Sequence, residues 1–256
     1  MEASPVIGVL GGMGPYAGLD LVHKIFDHTV AGSDQEHLPV LLWSQPSAIL
    51  DRTAYLLGQV DENPGIPMAR FARRLIADGA TALGIPCNSA HAPPIFERFL
   101  DELGEAARSG VQILHMIDEA VDYIRREHKD VGRVGVLSTL STYQLALYPK
   151  ALAKAGLESV LPDENVQEQI VHRAIYDPSY GIKAKTNPVS KIAQQSVRTS
   201  IAHLRQKGAE AIILGCSELP LAMPEASHDG LPLIDPTAAL ARGLIRATYP
   251  DKLRTL

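Results

Sequence analysis

Short apolar segments alternate along the chain with longer segments in which apolar residues recur every three or four positions. The short segments, rich in Val, Ile and Leu, predict strands at 5–11, 38–43, 80–85, 111–115, 133–138, 157–161 and 210–214. The longer segments predict helices at 15–30, 66–78, 92–107, 117–128, 141–155, 163–175, 187–207 and 236–248. Strands that alternate with amphipathic helices are typical of an α/β fold, in which parallel sheets carry helices on both faces.

Two stretches of the chain repeat one pattern. Residues 75–87 align without a gap on residues 204–216, and Leu, Gly, Ala, Ala and Cys coincide at 75/204, 79/208, 80/209, 82/211 and 87/216. In both stretches an amphipathic helix is followed by a Gly stop, a short apolar strand and a cysteine. A similar strand opens each half, at 6–10 and at 133–137. The common order predicts two copies of one α/β unit.

Composition and charge narrow the class of protein. The chain has 256 residues, 46% of them hydrophobic, which is enough for one large domain or two lobes with a substantial core. A formal net charge of −5 argues against nucleic acid as a partner. No apolar run is long enough to span a bilayer, and the first ten residues lack the basic region of a secretory signal. We therefore expect a cytoplasmic protein with no membrane partner, whose thiols stay reduced.

The two cysteines of the chain, Cys87 and Cys216, each follow a predicted strand, and ligands bind at the carboxyl ends of parallel strands. A metal site would need about two more Cys or His ligands nearby; His91 lies close to Cys87, but Cys216 has no matching neighbour. Buried structural cysteine explains one such residue more easily than two at equivalent points of a repeat. The remaining interpretation is acid/base chemistry, in which one thiol takes a proton from one face of a carbon and the other delivers one to the opposite face.

Acid/base chemistry of this kind sets two expectations for the thiols of Cys87 and Cys216. If the two lobes face each other, both thiols point into one cleft, too far apart for a disulfide but able to flank one carbon atom. Each cysteine precedes a predicted helical turn, and a helix N-terminus lowers the pKa of a thiol from its usual value of about 8.5.

Six motifs follow one another over nearly the whole chain. They are GVLGGMGP at 8–15, DRTAY at 51–55, PCNSAH at 86–91, LSTLST at 137–142 with Tyr148, GIK at 181–183 and GCSELP at 215–220. Together they resemble the aspartate/glutamate racemase superfamily, and most closely its cofactor-independent aspartate racemases. The resemblance implies two pseudo-symmetric Rossmann-like lobes with the active site between them. It also implies a first lobe of residues 1–108 plus 222–256, to which the last helix returns, a second lobe of 109–221, and a homodimer.

The resemblance assigns roles residue by residue. Cys87 and Cys216 would be the two bases, in a site that needs neither pyridoxal phosphate nor metal. The residues that would bind the substrate are Met13 and Gly14 in the floor of the site, Asn88, Ser89, Thr139 and Thr142 at the α-carboxylate and amine, Arg52 and Lys183 at the distal carboxylate, and Ser217. Three positions depart from the family pattern. Gly18, Ser89 and Ser217 stand where Thr is usual, and the two serines leave space for a methyl group.

Several of these residues have plainer interpretations when they are taken alone. Arg52 is typical of a solvated charge at a helix start, and His91 of a ring packed at a helix start. Glu218 is typical of the first turn of a helix, or of a carboxylate that tunes Cys216. The glycines before Pro15 lack dinucleotide-loop spacing and indicate a tight turn. Lys183, favoured over Lys185, lies in a Gly/Pro-rich loop that is a candidate lid.

These observations support the hypothesis of a cofactor-independent racemase of an acidic amino acid, with aspartate favoured. Its partner would be a small dicarboxylic amino acid, with no metal. One alternative is a glutamate or broad-specificity amino-acid racemase of the same superfamily. The other, from a different functional class, is a non-catalytic protein that binds small carboxylates.

Overall fold

The computed structural model describes residues 4–256, apart from the side chain of Ala106. The strands are β1 (Ile7–Leu10), β2 (Val40–Trp43), β3 (Ala82–Gly84), β4 (Gln112–Ile113), β5 (Arg133–Ser138), β6 (Glu158–Val160), β7 (Ala211–Gly215), β8 (Ser227–His228) and β9 (Leu231–Ile234). The α-helices are α1 (Pro15–Asp27), α2 (Arg52–Leu56), α3 (Gly65–Ala77), α4 (Pro93–Leu103), α5 (Glu105–Arg108), α6 (Met116–Glu127), α7 (Leu140–Gln144), α8 (Leu147–Lys154), α9 (Glu164–Val166), α10 (Arg173–Tyr176), α11 (Lys191–Gln206), α12 (Leu219–Ala222) and α13 (Pro236–Thr248). A π-helical segment, Gln167–His172, joins α9 to α10, and 3₁₀ turns occupy Asp34–Glu36, Pro46–Ala48, Asn88–His91 and Pro250–Lys252.

One compact unit contains the described residues up to Glu119 together with Thr237–Leu256. Its sheet has the order β2-β1-β3-β4, and all neighbours are parallel. Successive residues of β1 point to opposite faces of the sheet. Val9 packs with Leu21 of α1 and Leu244 of α13, whereas Leu10 packs in a second cluster with residues of α3 and α4. Helices therefore cover both faces of this sheet.

The other compact unit is Ala120–Pro236. Its sheet has the order β6-β5-β7-β9-β8, parallel except for the β8–β9 pair. Leu137 of β5 and Leu214 of β7 pack with Ile201 and Leu204 of α11 in its core. The chain passes between the units within α6 and at the start of α13, whereas the sequence-based boundaries lie at 108/109, directly after α5, and at 221/222, within α12.

The predicted repeat is present in the backbone of the two units. Gly79 and Gly208 end α3 and α11 in the left-handed region, with φ of 100° and 87°. In the paired strands, Gly8 lies opposite Leu83 of β3, and Gly135 lies opposite Ile212 of β7. A Cβ atom added at either strand glycine would lie 2.5 Å from the facing Leu83 or Ile212 side chain. Both copies therefore need glycine at the same place, and the α/β prediction with two parallel sheets flanked by helices is confirmed.

Tertiary contacts change some of the predicted elements. The predicted helix 141–155 is interrupted, because Ala146 adopts a left-handed conformation with φ of 51° between α7 and α8. The predicted helix 92–107 is divided at Gly104, whose φ is 81°. Strand β9 was not predicted, since it contains Pro232, which is unusual inside a sheet. Among the described residues, no helix is both long and apolar enough to cross a membrane.

Candidate active site

The loop after β1 lies in the first unit and contains Met13 and Gly14. Met13 is buried, and Gly14 is the N-cap of α1. A Cβ atom at Gly18 of α1 would lie 3.2 Å from the Cα atom of Gly11 and 3.2 Å from Leu42. Gly18 therefore allows α1 to pack closely against the strand end, which explains glycine at a position where the resembling family has a hydroxyl.

Cys87 lies at the carboxyl end of β3, where the strand turns into the 3₁₀ segment. Its backbone N–H donates to the carbonyl of Ile85 at 2.8 Å, and its side chain is buried. The Sγ atom lies 3.6 Å from the hydroxyl of Ser89. Asn88 and Ser89 are also buried, so three consecutive residues with polar or reactive side chains line this strand end.

The ring of His91 fixes this segment through two hydrogen bonds to the backbone. Its Nε2 atom accepts a hydrogen bond from the backbone N–H of Met116 at 3.3 Å, so Nδ1 carries the proton and donates to the carbonyl of Cys87 at 2.9 Å. Burial, together with the nearby His115, lowers the pKa of His91 from 6.5 to about 3. His91 is therefore a neutral ring that fixes the backbone of Cys87, as the plainer interpretation predicted.

Arg52 is the first residue of α2, whose N-cap Asp51 accepts a hydrogen bond from the backbone N–H of Ala54 at 2.9 Å. Only 5% of its surface is exposed, and Nη1 donates to the carbonyl of Leu50 at 2.9 Å. The interpretation of Arg52 as a solvated surface charge is therefore wrong. A buried guanidinium is costly unless it is matched by acceptors, which suits a residue that meets an anion.

Cys216 occupies the equivalent place in the second unit, at the carboxyl end of β7. Its backbone N–H donates to the carbonyl of Leu214 at 2.8 Å, the same contact that Cys87 makes with Ile85. Its thiol donates to Oε2 of Glu218 at 2.9 Å, and the hydroxyl of Ser217 lies 3.3 Å from the same oxygen. The repeat therefore places both cysteines in one local backbone geometry.

The electrostatic surroundings of Cys216 oppose the expected low pKa. Burial raises the pKa of the Cys216 thiol well above its usual value, the charge of Glu218 raises it further, and Lys183 acts in the opposite direction. The helix that follows, α12, has four residues. The prediction that a helix N-terminus lowers the pKa is therefore wrong for Cys216, because burial and a neighbouring carboxylate outweigh a short helical turn.

Lys183 reaches the same carboxylate from the loop after α10. Its Nζ atom donates to Oε1 of Glu218 at 3.2 Å and lies 5.1 Å from the ring centre of Tyr176. Its backbone N–H donates to the carbonyl of Ile175 at 3.1 Å. Lys185 is exposed instead. The structure therefore brings Lys183 to Cys216 through Glu218, a residue that the sequence had not placed among the substrate contacts.

Two hydroxyl residues follow β5, the strand beside β7. Thr139 is the N-cap of α7, and its Oγ1 donates to Oγ1 of Thr142 at 3.1 Å. Both residues are buried. The amide of Gln167, in the π-helical segment, donates to the carbonyl of Ser138 at 2.9 Å and fixes this strand end. Sequence reasoning missed Gln167, since no local pattern connects it to a strand end 29 residues earlier.

The predicted site residues thus form two groups. Met13, Gly14, Arg52, Cys87, Asn88 and Ser89 belong to the first unit, and Thr139, Thr142, Lys183, Cys216 and Ser217 belong to the second. Both cysteines are free thiols. Among residues 4–256, no cluster of three or more His, Cys, Asp or Glu side chains could hold a metal ion. That the two thiols face each other across one cleft stays a prediction.

Comparison with known proteins shows the family to which the chain belongs. A family model described as Asp/Glu/hydantoin racemase matches residues 10–244. Because the match extends over most of the chain, the chain belongs to the Asp/Glu/hydantoin racemase family, and the resemblance read from its motifs is confirmed. The broad specificity amino-acid racemase RacX of Bacillus subtilis (strain 168) is 25% identical over an alignment covering 95% of this chain and 98% of that protein.

Solved structures show the same fold. The Picrophilus torridus aspartate racemase superposes with a TM-score of 0.78 and 25% identity, covering 98% of this chain and 96% of that one. A glutamate racemase from Francisella tularensis subsp. tularensis SCHU S4, solved in complex with D-glutamate, has a TM-score of 0.65 and 16% identity, covering 100% and 84%. The second likeness concerns the fold alone.

Proposed function

We propose that this chain interconverts the two enantiomers of an acidic amino acid, with aspartate as its preferred substrate, through two thiols and without pyridoxal phosphate or metal. One observation carries the proposal: the two cysteines of the chain lie buried at equivalent strand ends of an internal repeat. Membership of a racemase family supports it. Inversion of a carbon needs a base on one face and an acid on the other, and two equivalent thiols provide both.

The neighbouring residues supply the groups that such a substrate needs. In this proposal Asn88, Ser89, Thr139 and Thr142 hold the α-carboxylate and amine, while Met13, Gly14 and Ser217 border them. Arg52 binds the distal carboxylate, since a planar guanidinium can donate two parallel hydrogen bonds to it. Lys183 adds positive charge near the same end.

Proton exchange at the α-carbon tests the proposal directly. Purified protein in D₂O should incorporate deuterium into both L- and D-aspartate while it racemises them, and added pyridoxal phosphate should change neither rate. Cys87→Ala and Cys216→Ala should each abolish racemisation, because one thiol cannot serve both faces. Cys87→Ser and Cys216→Ser should keep a one-sided exchange, with Cys216 acting on the L-form and Cys87 on the D-form.

Two results would contradict the proposal. A single variant that racemises at the wild-type rate would show that its cysteine is structural. Absence of exchange with every amino acid, combined with binding of aspartate in calorimetry, would favour the alternative of a non-catalytic carboxylate-binding protein.

A second candidate, broad-specificity racemisation, is favoured by the ion pair between Lys183 and Glu218. Because Glu218 offsets the charge of Lys183, the part of the site proposed to bind the distal carboxylate carries less positive charge than Arg52 and Lys183 would supply without that ion pair. The relative RacX bears a broad-specificity name. Comparing kcat/KM for aspartate, glutamate and alanine separates the two candidates: a preference for aspartate over alanine of less than about tenfold would favour broad specificity.

A further inference from the structure

The residue two positions after each cysteine contacts its sulfur, but the two residues differ in chemistry. Ser89 and Glu218 are equivalent in the repeat, since both pairs of positions are separated by the same 129 residues (216 − 87 and 218 − 89). The hydroxyl of Ser89 lies 3.6 Å from Sγ of Cys87. The carboxylate of Glu218 lies 2.9 Å from Sγ of Cys216. A symmetric backbone therefore presents an asymmetric pair of thiols.

The carboxylate of Glu218 is placed to keep its thiol protonated. Its side chain is 6% exposed, and an ionised carboxylate can only accept hydrogen bonds, so the contact at 2.9 Å requires the proton to be on sulfur. Loss of that proton would leave two negative charges in contact inside a buried site, which is unfavourable.

The other charged and titratable groups near Cys216 set the balance. Lys183 binds the opposite oxygen of Glu218 at 3.2 Å and favours the thiolate, but less strongly than burial and Glu218 disfavour it. Tyr148 also interacts with Cys216; burial raises the pKa of its phenol, with Asp235 acting in the same direction, so the phenol is neutral near pH 7. Glu218 is thus the group whose charge dominates at this thiol.

We propose that Glu218 is a positioning residue that holds Cys216 as a protonated thiol, so that the resting enzyme is set for the D-form, with Cys216 as the proton donor and Cys87 as the base. The inference rests on the proposed function for these roles. In one D-to-L turnover the Cys87 thiolate takes the α-proton and becomes a thiol, while the Cys216 thiol gives its proton to the opposite face of the carbanion and becomes a thiolate. The L-to-D direction starts from the state that this step leaves, with Cys216 as the thiolate and Cys87 as the thiol. The resting state returns when Cys216 regains a proton and Cys87 loses one to solvent, so protons and charge balance.

The test is the pH dependence of alkylation of each cysteine by iodoacetamide, followed by mass spectrometry on the full-length protein. Glu218→Gln removes the charge at nearly constant size, and the midpoint of Cys216 alkylation should move to lower pH by about one unit or more. Glu218→Ser, which copies the other half of the repeat, should do the same. The profile of Cys87 should stay unchanged in both variants.

Two further variants act in the opposite direction. Lys183→Met should move the midpoint of Cys216 to higher pH, and Ser89→Glu should do so for Cys87. Lys185→Met, an exposed lysine of the same loop, is the matched control and should move neither midpoint. A purely structural role for Glu218 would change the plateau rate of alkylation through altered access, without moving the midpoint.

The pH dependence of racemisation gives an independent measurement of the same effect. In Glu218→Gln the alkaline limb of kcat/KM against pH for D-aspartate, the form toward which Cys216 is the acid, should move to lower pH by the same amount as the midpoint of Cys216. An unmoved or raised midpoint in Glu218→Gln overturns the inference. If the wild-type protein racemises no amino acid, but the Cys216 midpoint moves as expected in Glu218→Gln, the proposed function is wrong. The inference that Glu218 keeps Cys216 protonated is then still supported.

Discussion

His91 shows at the scale of one residue how burial couples the site to pH. Its pKa is about 3 in the folded protein and 6.5 as an ordinary histidine, so the unfolded chain binds more protons between these values. The stabilisation from neutral His91 is fully present above about pH 6.5 and is lost as the pH falls toward 3. We expect His91 to lower the free energy of unfolding by about 2 kcal/mol between pH 7 and pH 5.

Urea denaturation of the wild type and of His91→Gln at pH 7, 6 and 5 measures this effect. The variant should be less stable at pH 7 but should lose less stability on acidification. His23→Gln, at an exposed histidine of α1, is the matched control for the substitution itself. NMR of the imidazole nitrogens provides a second measurement: a His91 ring that is protonated at pH 5.5 in the folded protein would contradict the assignment.

Arg52 decides the preference for a second carboxylate in the proposed function. Arg52→Ala should lower kcat/KM for aspartate by about two orders of magnitude or more, because a charge-assisted bidentate contact contributes about 2–5 kcal/mol. Arg52→Lys should recover part of the activity, since the forked geometry is lost. Activity toward alanine should change little in either variant.

The control for Arg52 is a measurement of folding stability, because its side chain is buried and its replacement could also destabilise the protein. Thermal unfolding of Arg52→Lys should stay close to that of the wild type, so that a kinetic loss is assigned to binding. If Arg52→Ala spares turnover of aspartate and alanine turns over equally well, the dicarboxylate assignment is wrong even where the two-thiol mechanism holds.

At the scale of elements, the end of β7 depends on close packing by Tyr148 of α8. A Cβ atom at Gly215 would lie 2.8 Å from the ring of Tyr148 and 2.9 Å from the carbonyl oxygen of Leu137. Gly215→Ala should therefore destabilise the protein by about 1–3 kcal/mol and displace Cys216 enough to lower racemisation. Gly110→Ala, where a Cβ meets no atom within 4 Å, is the matched control and should change neither denaturation nor activity.

The elements that the sequence predicted well are those with strong periodicity or clear end signals. β5 and α13 begin and end at the predicted residues, and α3 is shifted by one position. The π-helical segment Gln167–His172 was predicted as ordinary helix, since its apolar spacing resembles that of an α-helix. What distinguishes it is the buried contact from Gln167 to the end of β5, which no local pattern records.

At the scale of the whole molecule, the two-thiol mechanism requires Cys87 and Cys216 to share one ligand. Saturating aspartate should therefore slow alkylation of both thiols together, by about tenfold or more when occupancy exceeds 90%. Mild oxidation with diamide should leave them unpaired, since thiols that flank a substrate lie too far apart to bond. Protection of one cysteine alone, or a bond between the two, would contradict a shared site.

Assembly gives one further expectation. A homodimer, implied by the family resemblance, predicts a mass of twice 27.6 kDa in sedimentation equilibrium. A mass of 27.6 kDa over a wide range of concentration would contradict it.

The amino-acid order by itself determined the α/β class, the internal repeat, the candidate cysteines and the family, because periodicity, glycine stops and motif residues are local features. Tertiary structure decided the surroundings of the candidate site residues. Lys183 meets Glu218 across 35 positions, and Arg52 is buried although its neighbours in the sequence, taken alone, favoured a solvated charge. The pKa of Cys216 is raised although a helical turn follows it. Burial and charge pairing depend on segments distant in the chain, and these terms outweigh local dipoles once the groups leave water.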